Sequence, residues 1–272
     1  MEKYSVLMSL YRKEDPAHLR EALESMLSQT VPPDEIVLVE DGPLTEELYA
    51  VVSEYKDKAP GLFTILRNEE NIGLGASLNR GIEACRNELI ARMDTDDISK
   101  PSRCEKQLAR FSEEPGLDIL GTWVEEFEKD PSDVISVRAV PETHEAIYEF
   151  SKRRSPFNHP TVMYKKSSVL NCGVYSQLRR NQDVELFGRM LHLGCRAANI
   201  PEALLSFRCG GDLEKRRKSW ENTSTYIGAV NTLRKMGHSS LKDYLVVSAA
   251  QLAVFIMPLS LQRFVYKKFL RK

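Results

Sequence analysis

Leu89-Ile90-Ala91-Arg92-Met93-Asp94-Thr95-Asp96-Asp97 is the stretch on which the fold turns. Leu89 to Met93 is a short apolar run with the length of a strand, and it ends on three carboxylates within four residues. Such carboxylates repel one another unless a cation or solvent offsets them. In an extended strand end, Asp94 and Asp96 point to one side and Asp97 to the other. One or two carboxylates, together with substrate phosphates and water, is how Mg²⁺ is usually held. A helix cap or a solvated acidic turn before Pro101 is the plainer reading. The position directly after an apolar strand favours the metal.

Upstream, the chain repeats a strand-then-helix rhythm. Tyr4 to Leu10 reads as a strand, and Asp15-Pro16 as a cap with a first-turn proline. Leu19, Leu23, Met26 and Leu27 then form one helical face. Glu35 to Val39 is a second strand, stopped by the turn Glu40-Asp41-Gly42-Pro43, and Thr45 caps a helix running toward Ala59. Phe63 to Leu66 is a third strand, followed by the polar loop Asn68 to Gly73 and a helix ending near Cys85. This alternation predicts a Rossmann-like α/β fold, a mainly parallel sheet with flanking helices. Ligands of such sheets bind beyond the carboxyl ends of the strands, which here carry Ser9, Asp41 and Asp94 to Asp97.

Downstream the rhythm changes. A helix is expected from Pro101 to about Pro115, a strand from Leu117 to Val124, and a charged, irregular stretch from Glu125 to Pro160. A soft boundary near Lys100 separates residues 1–100 from 101–212, and a helical carboxyl-terminal segment covers 213–272. In that segment Tyr244 to Gln262 carries no charge over nineteen positions. Leu261, Val265 and Phe269 then face away from Arg263, Lys267 and Arg271, as in a basic amphipathic helix suited to an anionic membrane surface. Packing on the core and a membrane span are the alternatives.

The composition, 42% hydrophobic and 28% charged, is that of a soluble globular chain, and the net charge of -1 supplies no field for nucleic acid. Five scattered cysteines without a CxxC pair read as reduced thiols of a cytosolic protein, and no secretory signal is expected from the first residues.

Other candidates are each double-valued. Asp41 can accept the imide N–H of a base, or merely form an Asp-Gly turn. Gly73 and Gly75 open a helix whose amides can approach a phosphate, or are simply loop glycines. Asp183, with Leu186 and Met190 following at helical spacing, is a helix-start cap or a general base for an acceptor hydroxyl. His159, beside Pro160, is structural or lines the pocket. Arg208 with Lys215 to Lys218 grips a diphosphate or forms a solvated face.

Together these pieces resemble the family 2 glycosyltransferases, which have the GT-A fold and work by inversion. The residues that carry the resemblance are Val6-Leu7-Met8-Ser9-Leu10-Tyr11, Val39-Glu40-Asp41-Gly42, Asn71-Ile72-Gly73 with Asn79-Arg80-Gly81, Arg92 to Asp97, His159-Pro160-Thr161 and Gln182-Asp183. The resemblance implies a nucleotide-sugar donor, UDP foremost, bound by Ser9, Tyr11, Asp41, Gly73, Asp94 and Asp96. It implies a divalent metal, Mg²⁺ or Mn²⁺, on Asp94 and Asp96, with Asp183 as catalytic base and His159 and Arg208 lining the acceptor pocket. By the same resemblance, residues 1–100 hold the donor and 101–212 the acceptor and base. It implies a glycan or lipid-linked acceptor, as in cell-surface polysaccharide biosynthesis, and with the basic tail a cytoplasmic protein peripheral to the inner face of the cell membrane. Gln182 stands where the family often has glutamate, and Glu40 where aspartate is frequent. The rival readings are a sugar nucleotidyltransferase, which would need a glycine-rich loop where Tyr11 to Asp15 stand, and an inactive membrane scaffold.

Overall fold

The computed structural model describes residues 2–210 and 218–257. Its nine strands form one sheet, in which β3 (Phe63–Arg67), β2 (Glu35–Glu40), β1 (Tyr4–Leu10) and β4 (Leu89–Arg92) are successive parallel neighbours. Beyond β4 the sheet continues through β8 (Met163–Lys165), β6 (Ile119–Phe127), β9 (Ala197–Arg208) and β5 (Ile98–Ser99), with β7 (Ser136–Arg138) paired to β6. The expected α/β sheet with flanking helices is present, and it is mixed: the first four strands and the long β6–β9 pair are parallel. β8 runs antiparallel to both β4 and β6, and β5 antiparallel to β9.

The central strands are buried on both faces, which is why they read as unbroken apolar runs. Val6, Met8, Ile36 and Leu38 pack under α1 (Pro16–Leu27), α2 (Glu46–Lys58) and α4 (Arg103–Glu113). Leu7, Val37 and Val39 face α3 (Leu74–Ala84) and, with β4 and β8, the layer containing α5 (His144–Ser151), the short α6 (Lys166–Asn171) and α7 (Gln182–His192). The Asp15 side chain caps α1 through the Ala17 N–H at 2.8 Å, and Thr45 caps α2.

The stretch expected to be irregular, Glu125 to Pro160, contains the end of β6, all of β7 and α5. Its charges hide the pattern because they are paired: Glu126 is buried and accepts from Ser136 at 2.5 Å, beside Arg138.

The carboxyl-terminal helices are α8 (Trp220–Lys235) and α9 (Leu241–Ile256). α8 lies so close to α7 that a Cβ on Gly188 would sit 2.5 Å from Leu233 Cδ1. α9 packs on α8 and starts in a capping box of Ser240 and Asp243. Leu241, Leu245, Leu252 and Ile256, spaced to share one side of α9, are all exposed. No helix among the described residues is long and apolar enough to cross a membrane. Lys215 to Arg217 and the basic stretch from Leu261 to Arg271 lie outside the described residues.

Gly42 is the turn that follows β2. Its φ of +86° suits glycine, and an added Cβ would lie 2.8 Å from the Asn71 amide nitrogen. Gly42→Ala should therefore lose about 1–3 kcal/mol, measured by denaturant unfolding. Gly116→Ala, whose Cβ would enter open space, should stay within about 0.5 kcal/mol of the parent.

Candidate active site

The carboxyl ends of β1, β2 and β4 form one rim, and loops and helix starts of the second half close over it. Ser9 and Tyr11 lie at the end of β1, both half-buried. Asp41 follows β2 and is 4% exposed. Its Oδ1 accepts the Ile72 N–H at 2.8 Å and Asn68 Nδ2 at 3.0 Å, while Oδ2 accepts Asn71 Nδ2 at 2.8 Å and the Gly73 N–H at 3.1 Å. A carboxylate has about four lone-pair positions, and these donors occupy them. In this arrangement Asp41 builds the wall that presents Gly73, the cap residue of α3 with φ +91°.

Asp94, Asp96 and Asp97 each offer an oxygen within 4.8 Å of the others. The strand-end alternation that sends Asp97 to the opposite side does not hold. The chain bends at Thr95-Asp96 instead of staying extended, which swings Asp97 back to the cluster. Asp97 is 1% exposed. Its Oδ1 accepts the Arg208 N–H at 2.8 Å, and Oδ2 has no hydrogen-bond partner among the described residues. Burial, and then the charges of Asp94 and Asp96, push its carboxyl well above the usual aspartate range. A buried carboxylate oxygen without a donor, beside two further carboxylates, fits a hard divalent cation.

Beneath this cluster lies Arg92, a residue that sequence reasoning gave no role. Its guanidinium is buried and ion-paired with Asp94, while Nε and Nη1 have no hydrogen-bond partner among the described residues. Arg92 is electrostatically felt by Asp97, His159, Tyr175 and Asp183, so it sits amid the site. The signal was present, since an arginine inside Leu-Ile-Ala-Arg-Met, a buried strand, needs a partner.

The second half supplies the facing groups. Asp183 is half-buried in the first turn of α7. Burial raises its carboxyl above the ordinary aspartate range, its own and the Val184 backbone N–H oppose this, Arg92 lowers it and Asp94 raises it. Asp183 and Asp94 thus share one electrostatic environment. His159 Nε2 lies 2.8 Å from the Tyr175 hydroxyl, and its ring meets Tyr175 and Phe187 edge-on. Burial, with Arg92 adding to it, holds His159 well below the usual histidine range, so the ring is neutral. Tyr175, also missed in the sequence, is fixed to α3 by Asn79, which accepts its N–H at 2.9 Å and donates to its carbonyl at 2.8 Å. Arg208 is engaged with Glu21, with the Asp96 carbonyl at 2.9 Å and with the Phe127 ring at 4.6 Å. It therefore braces the acidic bend from the β9 side.

A family model, Glycosyl transferase family 2, matches residues 5–179. The chain belongs to glycosyl transferase family 2. Two relatives extend the likeness past Asp183. One is the UDP-Gal:alpha-D-GlcNAc-diphosphoundecaprenol beta-1,3-galactosyltransferase of Escherichia coli, 35% identical over 99% of this chain and 97% of its own. The other is the amylovoran biosynthesis glycosyltransferase AmsE of Erwinia amylovora, 34% identical over 97% of this chain and 98% of its own. Among solved structures, the mannosyltransferase of Pyrobaculum calidifontis in complex with GDP-Man and Mn²⁺ is similar, with a TM-score of 0.68 at 14% identity, covering 98% of this chain and 79% of that one. At that identity the likeness is one of fold, and it is the GT-A fold of this family 2 chain.

Burying a third carboxylate in the acidic cluster makes the metal-free protein less stable than it need be. A carboxyl raised by folding contributes stability below its unfolded pKa, and that contribution is lost as pH rises through the folded value. Asp97→Asn should raise metal-free stability at pH 7 by roughly 1–3 kcal/mol. It should also shrink the melting-temperature gain on adding Mn²⁺, both read by thermal unfolding.

Proposed function

We propose that this chain is an inverting glycosyltransferase that moves a sugar from a UDP-sugar to a hydroxyl of a lipid-linked glycan during surface-polysaccharide synthesis. Asp183 within electrostatic reach of Arg92 and of Asp94 in the acidic cluster carries this proposal, because a base and an anion-binding end are what a single displacement requires. The two relatives support the donor and acceptor classes, one by its UDP-Gal donor and diphosphoundecaprenol-linked acceptor, the other by its part in amylovoran biosynthesis.

In this proposal Asp94 and Asp96, joined by Asp97, hold a divalent cation. When bound, Mg²⁺ or Mn²⁺ offsets the negative charge that grows on the departing diphosphate. Ser9 and Tyr11 contact the base and ribose, and the Asp41-built loop lays the Gly73 end of α3 beside the donor. Asp183 takes the proton of the acceptor hydroxyl as that oxygen attacks the anomeric carbon opposite the leaving group. Arg92 keeps Asp94 in place and favours the ionised form of Asp183. Neutral His159 and Tyr175 line the acceptor side without adding charge. No enzyme nucleophile is needed.

Residues Leu241, Leu245, Leu252 and Ile256 offer a lipid-facing stripe on α9, followed in sequence by Arg263, Lys267, Lys268, Arg271 and Lys272. An apolar stripe with adjacent cations suits an anionic bilayer surface at the inner face of the cytoplasmic membrane. Leu245→Glu with Leu252→Glu should abolish co-sedimentation with anionic vesicles. Retained pelleting of the double variant would remove the stripe from the proposal.

Transfer is measured with UDP-galactose, UDP-glucose and UDP-GlcNAc on a synthetic GlcNAc-diphosphoryl lipid, with Mn²⁺ or EDTA. Asp183→Asn should lower kcat by about 10²–10⁴-fold while leaving UDP-induced thermal stabilisation unchanged. The wild-type rate should rise with pH through a value above the ordinary aspartate range, because burial dominates the shift of Asp183. Transfer unaffected by Asp183→Asn would exclude the assigned base.

A further inference from the structure

Asp183 stands two residues after an unusual backbone. Asn181 adopts φ 60° and ψ 20°, the left-handed region, as the residue preceding α7. Asparagine tolerates that region better than most side chains, but only a few per cent of non-glycine residues occupy it. Its side chain does not cap its own helix. It reaches instead to α8, where Nδ2 donates to the Asn222 carbonyl at 3.1 Å and to Thr225 Oγ1 at 2.9 Å. Next to it, Arg180 Nε meets Glu221 Oε2 at 3.2 Å. One turn of α8 therefore holds the two residues that lead into the base helix. Further along, Leu233 of the same helix fills the space above Gly188 of α7.

We infer that Asn181 is a positioning residue for the reaction: clamped by Asn222 and Thr225 of α8, it fixes the left-handed turn that aims Asp183 at the acceptor hydroxyl. The inference rests on Asp183 being the base. The clamp spans two elements far apart in sequence, so α8 becomes part of the catalytic geometry. A base displaced by a fraction of an ångström loses much of its advantage while the donor still binds. Asp41, Asp94 and Asp96 follow β2 and β4 and take no part in the clamp.

A set of single and double variants tests this with UDP-galactose and the GlcNAc-diphosphoryl lipid. Asn181→Gly keeps the left-handed backbone without strain and removes only the clamp. It should lower kcat roughly 10-fold, with donor KM and UDP-induced stabilisation within about twofold of the parent. Thr225→Val should lower kcat in the same direction by less, and should add little to Asn181→Gly. Ser224→Ala, one residue away with its hydroxyl bonded to the Glu221 carbonyl, should change nothing. In an Asp183→Asn background, Asn181→Gly should have no further effect on residual transfer. Unchanged kcat in Asn181→Gly would overturn the clamp and leave the base standing, as would an equal loss in the Asp183→Asn background. Full transfer by Asp183→Asn alone would overturn both. A loss confined to donor KM or to melting temperature would assign Asn181 a structural role and end the proposal.

Discussion

Asp94, Asp96, Asp97 and Asp183 converge in one region of the rim, and their mutual repulsion is the constraint that the rest of the site answers. Arg92 is the answer built into the sheet. Its buried guanidinium neutralises Asp94 and lies within electrostatic reach of the other groups. Pairing lowers the local excess of negative charge without abolishing it, which is the condition under which a divalent cation binds carboxylates and a diphosphate together. A fully neutralised cluster would hold no metal, and a wholly unpaired one would resist burial.

The fold explains why these groups meet. β4 is the seam of the sheet, parallel to β1 on one side and antiparallel to β8 on the other. Met93 donates its N–H to the Leu7 carbonyl at 3.0 Å, and Arg92 donates its own to the Val162 carbonyl at 2.8 Å. The acidic bend is thus held by both halves of the chain at once. Arg208 at the end of β9 adds a third attachment through Asp97 and the Asp96 carbonyl.

Much of this was legible in the residues. The alternation of apolar runs and capped helical faces up to Asp97 gave the elements of the first half to within a residue or two at most ends. Asp94 and Asp96 stood out because they directly follow an apolar strand. The second half was harder because its signals are relational. β7 and α5 are hidden among charges that are paired only in the folded chain, as Glu126 and Arg138 show. The bend that recruits Asp97 follows from hydrogen bonding to Arg208, more than a hundred residues away. Tyr175 draws its place from Asn79, another long-range partner. Arg92 was the exception: its oddity inside a buried strand could have been noticed without a structure.

The loop from Asn68 to Gly73 is tied down by the Asp41 carboxylate through two side-chain amides and two backbone amides. A segment already held in one shape has little conformational freedom left to surrender when a ligand arrives. The wall beside Gly73 is therefore preorganised, and whatever affinity it contributes is not diminished by an ordering penalty. A donor seated there, as proposed, would be selected by shape rather than by induced fit, because a rigid wall rejects what it cannot match.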